Sequence, residues 1–379
     1  MHLFSHKRHK STTDSPDVST DPLASARQAH KVGMDPGSLQ HIGQVKVRQA
    51  AITLFDYDPQ QLIEITFSSL EESRRYEKQH GLYWLNVHGL HDPSVMQEIG
   101  QRFGLHPLVL EDIVNTHHRP KLEDYGDYLF MVLKSFDYNS ADHDCQAEQI
   151  SLVMGADFIL SFQERSTGLF DPIRERLRKN GSLLRRGGPD SLLHALTDAI
   201  VDSYFVVTEK LSADIEKLED QLIVDPPRNA VEQINHLKRE MYELRHSIWP
   251  TREVTNGVLR NTAGLVKPDT IPYFRDVYEH CVHLIEQLDA LREQIGDLLD
   301  LYLSTVSNRL NKELRLLTII TTLFAPATIV TGFFGMNFQH LPWTNSENGW
   351  LIAAAIIVGG ALALLGLLRW RYRRIKRGF

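Results

Sequence analysis

Two kinds of periodicity divide the chain. From residue 46 to about 190, short runs rich in β-branched and aromatic residues alternate with patterns of helical period. Strands that alternate with helices predict a mixed-sheet α/β domain. The predicted strands are AITLFDYD, LYWLNVHG, YLFMVLKSFDY, EQISLVM and FILSFQE, and the predicted helices lie around Pro93–Phe103, Pro107–Asn115 and Phe170–Asn180.

The second half of the chain has a helical period only. Long helical stretches are predicted near 191–223, 228–262 and 272–334, with breaks at Pro226-Pro227 and Lys267-Pro268. The third would span roughly 95 Å at 1.5 Å per residue. Its apolar residues recur at alternating spacings of four and three, which is typical of a helix packed lengthwise on other helices or on its own copies. The residues of this seam are Val277, Cys281, Leu284, Leu288, Leu291, Ile295, Leu298 and Tyr302.

Two uncharged apolar runs near the C-terminus are long enough to cross a membrane. The first covers Leu316–Phe334 and the second Trp350–Leu368, and a helix of about 20 apolar residues spans ~30 Å of hydrocarbon. A buried hairpin of a large soluble protein is the alternative, but core helices of this length normally carry a charged stripe. The sequence therefore predicts two transmembrane helices, the first continuous with the long helix.

Charge is distributed unevenly and predicts the orientation in the membrane. Residues 1–300 carry 32 basic and 46 acidic residues, a net charge of −14, whereas residues 301–379 carry 9 and 2, a net charge of +7. Basic residues flank the apolar runs at 309–315 and in RYRRIKR, while the link 335–349 has no Lys or Arg. By the positive-inside rule both termini are expected in the cytoplasm. MHLFSHKRHK at the N-terminus lacks the apolar core of a signal peptide.

These patterns predict an α+β protein of the inner, or plasma, membrane that crosses the lipid bilayer twice. Its low-hydrophobicity N-terminal tail is expected to be disordered. The predicted segments are a tail at 1–45, a cytoplasmic α/β domain at 46–190, a helical stalk at 191–313, and a transmembrane hairpin with a basic end at 314–379.

Small and polar residues form a stripe along the first predicted membrane helix. Such a stripe allows close packing of helices, and it equally suits the wall of a pore. Threonine hydroxyls in it can also bond back to carbonyls of their own helix. Pro326 leaves the carbonyl of Thr322 without its usual partner and should bend the helix. The stripe comprises Asn311, Leu314, Leu317, Thr321, Ala325, Thr328 and Gly332.

The triplet Gly335-Met336-Asn337 ends this helix abruptly. The amide of Asn337 offers a neutral oxygen, and a ring of such oxygens from several chains would accept hydrogen bonds from the water around a cation. That chemistry suits Mg²⁺, which gives up its water reluctantly. The alternative is that Asn337 only caps the helix.

At these residues the sequence resembles the CorA family of magnesium and cobalt channels. FFGMNF between two C-terminal spans looks like the family signature, and the likeness covers nearly everything from residue 46 onward. It extends through SNRLNKELRLLTIITTLFAP, PYFRDVYEH, SIWPTREV, HPLVLEDIVNTHHRPKLEDY, EQISL and FDPIRERLR.

The resemblance implies a funnel-shaped homopentamer in which a stalk helix from each subunit leads into a central pore. Asn337 would belong to a selectivity ring at the external mouth, held in place by Gly335 and Met336. Asn311 would form a polar ring at the cytoplasmic end and Leu317 a hydrophobic constriction. Thr321, Ala325 and Thr328 would line the channel between these rings.

The resemblance also implies that intracellular Mg²⁺, bound between subunits, favours the closed state. The matching acids are Asp112 and Asp276, with Glu111 and Asp198 as secondary ligands. Without the family, each is an ordinary solvated acid on a helix. Hard divalent cations prefer carboxylate oxygens, and a shared ion would relieve the repulsion between subunits. Mg²⁺ is therefore expected both as regulatory ion and as transported ion, with Co²⁺ and Ni²⁺ as further candidates.

Two features depart from the family pattern. Gln339 and Trp343 stand where the external loop often carries acids, and Ala325 stands where relatives often have a bulky Met. Electrostatic attraction of cations to the mouth should therefore be weaker or differently placed, and Leu317 would carry more of the gating.

A zinc transporter, a non-conducting metal sensor and an enzyme are the alternative functions. A zinc transporter like the ZntB branch shares the fold, but those relatives typically replace Met336. A non-conducting, membrane-anchored metal sensor would keep the acids without needing an aligned pore face. The sequence has no H-E-x-x-H, P-loop or dinucleotide-binding motif and is not expected to be an enzyme. Nucleic acid is not among the expected partners.

The cysteines favour a structural role over metal binding. Cys145 and Cys281 are far apart, which excludes a disulfide scaffold and a cysteine-based structural zinc site. Four residues of types that bind zinc lie close together in the sequence: Glu279, His280, Cys281 and His283. Because Cys281 lies on the apolar seam, a packing role for it is preferred over zinc binding.

Overall fold

A computed structural model describes residues 39, 41, 45–47, 50–67, 70–139, 144–260, 264–336 and 348–376. Most of the tail predicted at 1–45 lies outside these residues. Asn337, Gln339 and Trp343 of the predicted external loop also lie outside them.

Seven strands form one mixed sheet. The strand order is β2-β1-β3-β7-β6-β5-β4. Neighbours in the sheet are antiparallel except β3 and β7, which are parallel. The strands are β1 (Ala51–Tyr57), β2 (Leu62–Phe67), β3 (Leu82–His88), β4 (Lys121–Asp124), β5 (Tyr128–Asn139), β6 (Asp144–Gly155) and β7 (Phe158–Gln163).

Helices connect and follow the strands in the order that the sequence predicts. Five are short and accompany the sheet or close its connections, and the other four are long. The helices are α1 (Leu70–Arg74), α2 (Pro93–Phe103), α3 (Pro107–Val114), α4 (Asp171–Arg178), α5 (Leu183–Arg186), α6 (Pro189–Val224), α7 (Ala230–Leu259), α8 (Ile271–Phe334) and α9 (Gly349–Lys376).

The sheet buries apolar side chains on both faces. Leu54 of β1 and Leu85 of β3 pack into a core cluster beneath α2 and α3. Their neighbours point to the opposite face, where Phe55 stacks on Trp84 at 4.7 Å between ring centroids. The Trp84 ring also meets Phe170, the residue before α4, at 6.3 Å. Helices therefore cover both faces, as an alternating α/β pattern requires.

The long helices pack against the sheet and against one another. Tyr204 of α6 is fully buried and donates a hydrogen bond to the Lys134 carbonyl of β5 at 2.5 Å. Its hydroxyl also lies 3.3 Å from Thr251 Oγ1 of α7. On α8, seven of the eight seam residues, from Val277 to Leu298, are buried within the single chain, which confirms the heptad pattern. Cys281 is among them and packs in this seam.

The chain divides into two compact units. One comprises Met1–Ile215 with Asn235–Gln294, and the other comprises Glu216–Ile234 with Ile295–Phe379. The predicted boundaries at 190 and 313 stay predictions.

The second unit holds the predicted membrane hairpin. By length and composition, α8 and the segment Gly349–Trp370 are each apolar enough to cross a membrane, and neither apolar window is buried. Within this unit Gly360 of α9 lies against Pro326 of α8, because a Cβ at position 360 would be only 3.2 Å from the Pro326 Cβ.

Candidate functional site

The predicted pore face lies along α8. Asn311, Leu317, Thr321 and Thr328 are exposed in the single chain, and Ala325 is half-buried. Leu317 is 58% exposed, although it is a large apolar side chain. An exposed stripe of this kind is available for a partner surface or for a water-filled conduit.

The threonine hydroxyls of this face bond to their own helix. Thr321 Oγ1 donates to the Leu317 carbonyl at 2.9 Å, and Thr328 Oγ1 donates to the Phe324 carbonyl at 3.0 Å. Each hydroxyl thereby satisfies its proton and leaves oxygen lone pairs free to accept hydrogen bonds from water. The face can thus present acceptor oxygens without an unpaired donor.

Helix α8 ends in a tight turn at Gly335 and Met336, the first two residues of the triplet. The Gly335 amide donates to the Thr331 carbonyl at 2.9 Å, and the Met336 amide donates to the Phe333 carbonyl at 3.3 Å. A Cβ at position 335 would lie 3.0 Å from the Thr331 oxygen, so glycine fits this close approach. Asn337 follows directly but lies outside the described residues.

A second group of candidate residues meets between α6 and α8. Asp198 and Asp202 are one helical turn apart on α6, and Asp276 and His280 are one turn apart on α8. The ligand atoms of Asp198, Asp202 and His280 lie within 4.8 Å of one another. Asp276 Oδ2 lies 3.8 Å from His280 Nε2. Two carboxylates and an imidazole converge here, and this donor set suits a divalent metal.

Electrostatics at this cluster favours an added cation. Burial raises the pKa of Asp198 above its usual value; His280 opposes this rise, and the charge of Asp276 adds to it. Burial and the charge of Asp198 likewise raise the pKa of Asp202. A bound divalent ion would relieve the repulsion among these carboxylates.

A cavity of about 370 Å³ adjoins the two aspartates of α6. Its lining includes Asp198, Asp202, Arg176 and Lys210, together with apolar residues such as Ile173 of α4.

Asp112 sits in a different group of charges. It lies in the last turn of α3, and its side chain is only 15% exposed. Lys121 Nζ of β4 lies 2.7 Å from its Oδ2, and His118 Nε2 lies 2.9 Å from its Oδ1. Burial alone would raise the pKa of Asp112, but these two neighbours lower it below the usual range. Glu111 precedes it and is half-buried.

Sequence reasoning found part of these groups. The structure brings the predicted Asp198 and Asp276 near each other, while Asp112 makes its contacts with β4. The sequence-based prediction does not include Asp202, although Asp202 follows Asp198 by four residues on the same helix and so lies on the same face. The sequence-based prediction also lacks Lys121 as a partner of Asp112, because no local sequence pattern indicates that the end of α3 contacts β4.

Comparisons with known proteins decide the family. A model of CorA-like Mg²⁺ transporter proteins matches residues 79–374. The chain belongs to this family. It is 37% identical over 348 residues to the cobalt/magnesium transport protein CorA of Thermotoga maritima, covering 92% of this chain and 98% of the relative.

Further relatives include a solved structure of the same fold and a zinc transport protein. The CorA magnesium transporter of Methanocaldococcus jannaschii superposes with a TM-score of 0.70 at 20% identity, covering 84% of this chain and 97% of that structure. The zinc transport protein ZntB of Cronobacter sakazakii is 22% identical over 309 residues, covering 81% of this chain and 91% of the relative.

CorA proteins are membrane transporters of divalent cations rather than enzymes. The chain is accordingly a divalent cation transporter of this family, with two apolar C-terminal helices.

Proposed function

We propose that the chain forms an ion channel that admits Mg²⁺ into the cell down its electrochemical gradient, with Co²⁺ and Ni²⁺ as further substrates. The observation that carries the proposal is the 37% identity, over 92% of the chain, to a cobalt/magnesium transport protein. Met336 in the triplet favours the magnesium and cobalt branch over the zinc branch.

The pore is proposed to lie on the axis of a homopentamer in the inner, or plasma, membrane, with both termini cytoplasmic. Asn337 would hold a hydrated cation at the external mouth, since Mg²⁺ is bound more easily through its water. The small and polar residues on one face of α8 support a conduit below it, with Thr321 and Thr328 as acceptors, Leu317 as a constriction and Asn311 as the inner ring.

Intracellular Mg²⁺ is proposed to regulate this pore. Asp112 and Asp276 of neighbouring subunits would share the ion, with Glu111 and Asp198 as further ligands. The convergence of Asp198 with two more donors supports a metal site there. An ion that binds the closed state better shifts the population toward it, and its loss releases the stalks.

Asn337→Ala tests the transport proposal. We expect Mg²⁺ uptake into proteoliposomes to fall about tenfold or more, because the ring loses the oxygens that accept hydrogen bonds from the water around the cation. Asn345→Ala, in the same connection between α8 and α9, serves as the matched control and should keep uptake near the wild-type rate. Size-exclusion chromatography checks that the oligomer persists in both. Unchanged, selective uptake by Asn337→Ala would remove the selectivity role.

Zinc transport is the second candidate function. Its support is the ZntB relative and the imidazole of His280 beside two carboxylates, a donor set that Zn²⁺ accepts more readily than Mg²⁺ does. The same vesicles distinguish the two functions, because Zn²⁺ uptake that exceeds Mg²⁺ uptake at equal concentration would favour the zinc branch.

A further inference from the structure

The ammonium group of Lys121 lies between two carboxylates, at a position that a metal ion could occupy. Lys121 Nζ lies 2.7 Å from Asp112 Oδ2 and 2.6 Å from Glu123 Oε1, so it bridges two carboxylates of separate elements. The Glu123 carboxylate is held in turn by the Tyr125 hydroxyl at 2.9 Å. Two carboxylate oxygens around one positive charge form a donor set that fits a hard divalent cation.

The surrounding contacts keep this ammonium in place. The Lys121 side chain passes 5.6 Å from the centre of the Phe130 ring, a distance typical of a cation–π contact. Strand β4 pairs Lys121 with Val132 of β5, which fixes its backbone. Gln149 of β6 fixes the end of α3 that carries Asp112, because its Nε2 donates a hydrogen bond to the Asp112 backbone carbonyl at 2.9 Å.

We propose that Lys121 is a tethered counter-ion that competes with divalent metal for the Asp112 carboxylate and thereby sets the metal concentration at which the regulatory site fills. This inference rests on the proposed regulatory role of Asp112. Because the lysine belongs to the same chain, it returns to the carboxylate whenever the metal leaves.

The charges around Asp112 show how the lysine would weaken metal binding. Asp112, Glu123 and Lys121 together carry a net charge of −1, and a divalent ion added beside the ammonium would be repelled by it. His118 Nε2 contacts Asp112 Oδ1 at 2.9 Å. A metal that binds Asp112 Oδ2 therefore requires the lysine to move away, and breaking a partly buried ion pair opposes binding. The consequence is a weaker site, which suits an ion that is abundant in the cytoplasm.

The test measures Mg²⁺ binding directly on the full-length oligomer in detergent, by isothermal titration. Lys121→Met removes the charge and keeps most of the apolar stem. We expect the dissociation constant of the site that Asp112→Asn abolishes to fall by on the order of tenfold, because one competing charge is gone. Lys121→Arg keeps the charge and should bind like the wild type.

Two additional variants guard against misfolding and general charge effects. Lys121→Gln removes the charge with a polar side chain and should tighten binding like Lys121→Met. Lys78→Met removes the lysine of another ion pair in the same unit, that with Asp157, and should leave the dissociation constant unchanged. A second readout is the inhibition of flux by internal Mg²⁺, whose midpoint should shift to lower Mg²⁺ in both neutral Lys121 variants.

The outcomes separate this inference from the proposed function. If Asp112→Asn weakens binding while both neutral Lys121 variants bind like the wild type, the counter-ion role is wrong and the regulatory site stands. If Asp112→Asn itself leaves Mg²⁺ binding unchanged, the proposed regulatory site fails and the inference fails with it.

Discussion

At the residue scale, His88 couples the stability of the α/β domain to pH. It ends β3, is 7% exposed, and lies beside Gln163 of β7 and Arg174 of α4. Burial, reinforced by the charge of Arg174, lowers the pKa of His88 to about 4. An unfolded histidine titrates near 6.5, so between pH 6.5 and 4 the unfolded chain binds more protons. Stability from this group is present above pH 6.5 and is lost as the pH falls toward 4.

The variant His88→Gln should remove this dependence. We expect the wild type to lose up to about 3 kcal/mol more unfolding free energy than the variant between pH 6.5 and 4, from 1.36 kcal/mol per pKa unit. Chemical denaturation of the full-length protein at several pH values measures the difference. His246→Gln, at an exposed position of α7, is the control and should keep the wild-type slope. Parallel curves for wild type and His88→Gln would contradict the prediction.

The sequence predicts single acids better than the groups in which they act. Asp198 and Asp276 are recognisable from their motifs, and the structure brings them near each other. The contact of Asp112 with Lys121 joins residues on α3 and β4, and neither hydrophobic period nor spacing encodes it. The sequence places His280 only beside Cys281, because its approach to Asp198 depends on how α6 packs on α8.

At the element scale, the strands that sequence reasoning missed are the two edges of the sheet. The five predicted strands all exist, and they are the buried ones with β-branched and aromatic runs. Strand β2 is half-exposed and β4 is the four-residue segment KLED. Edge strands are often short and charged because such residues discourage pairing with other chains. Their pattern therefore resembles that of a loop.

Packing of α8 on α9 gives the next prediction. Gly360→Val should place a branched side chain against Pro326, where even a Cβ would lie 3.2 Å from the ring. Overpacking of this kind costs about 1–3 kcal/mol, and we expect the apparent melting temperature in detergent to fall by several degrees. Gly359→Val is the matched control, because a Cβ at Gly359 meets nothing within 4 Å. Equal melting temperatures for the two variants would show that this packing is absent.

At the scale of the whole molecule, charge and hydropathy predict the class of protein, and the family comparison confirms it. The 379 residues combine an acidic body with a basic C-terminal end and two apolar helices. An assembly of copies is harder to read from a sequence, because residues that face a central axis and residues that face another helix follow the same spacing. Leu317, at 58% exposure in one chain, illustrates this ambiguity.

The central claim is that the face of α8 carrying Thr321 and Thr328 lines a conduit for divalent cations. Substituted cysteines test it most directly, in a background with Cys145 and Cys281 replaced. Thr321→Cys and Thr328→Cys should let a charged, membrane-impermeant thiol reagent block Mg²⁺ flux in proteoliposomes. Leu323→Cys, on the opposite side of the helix, should conduct normally after the same treatment. Block at Leu323→Cys alone, or at none of the three positions, would contradict the account.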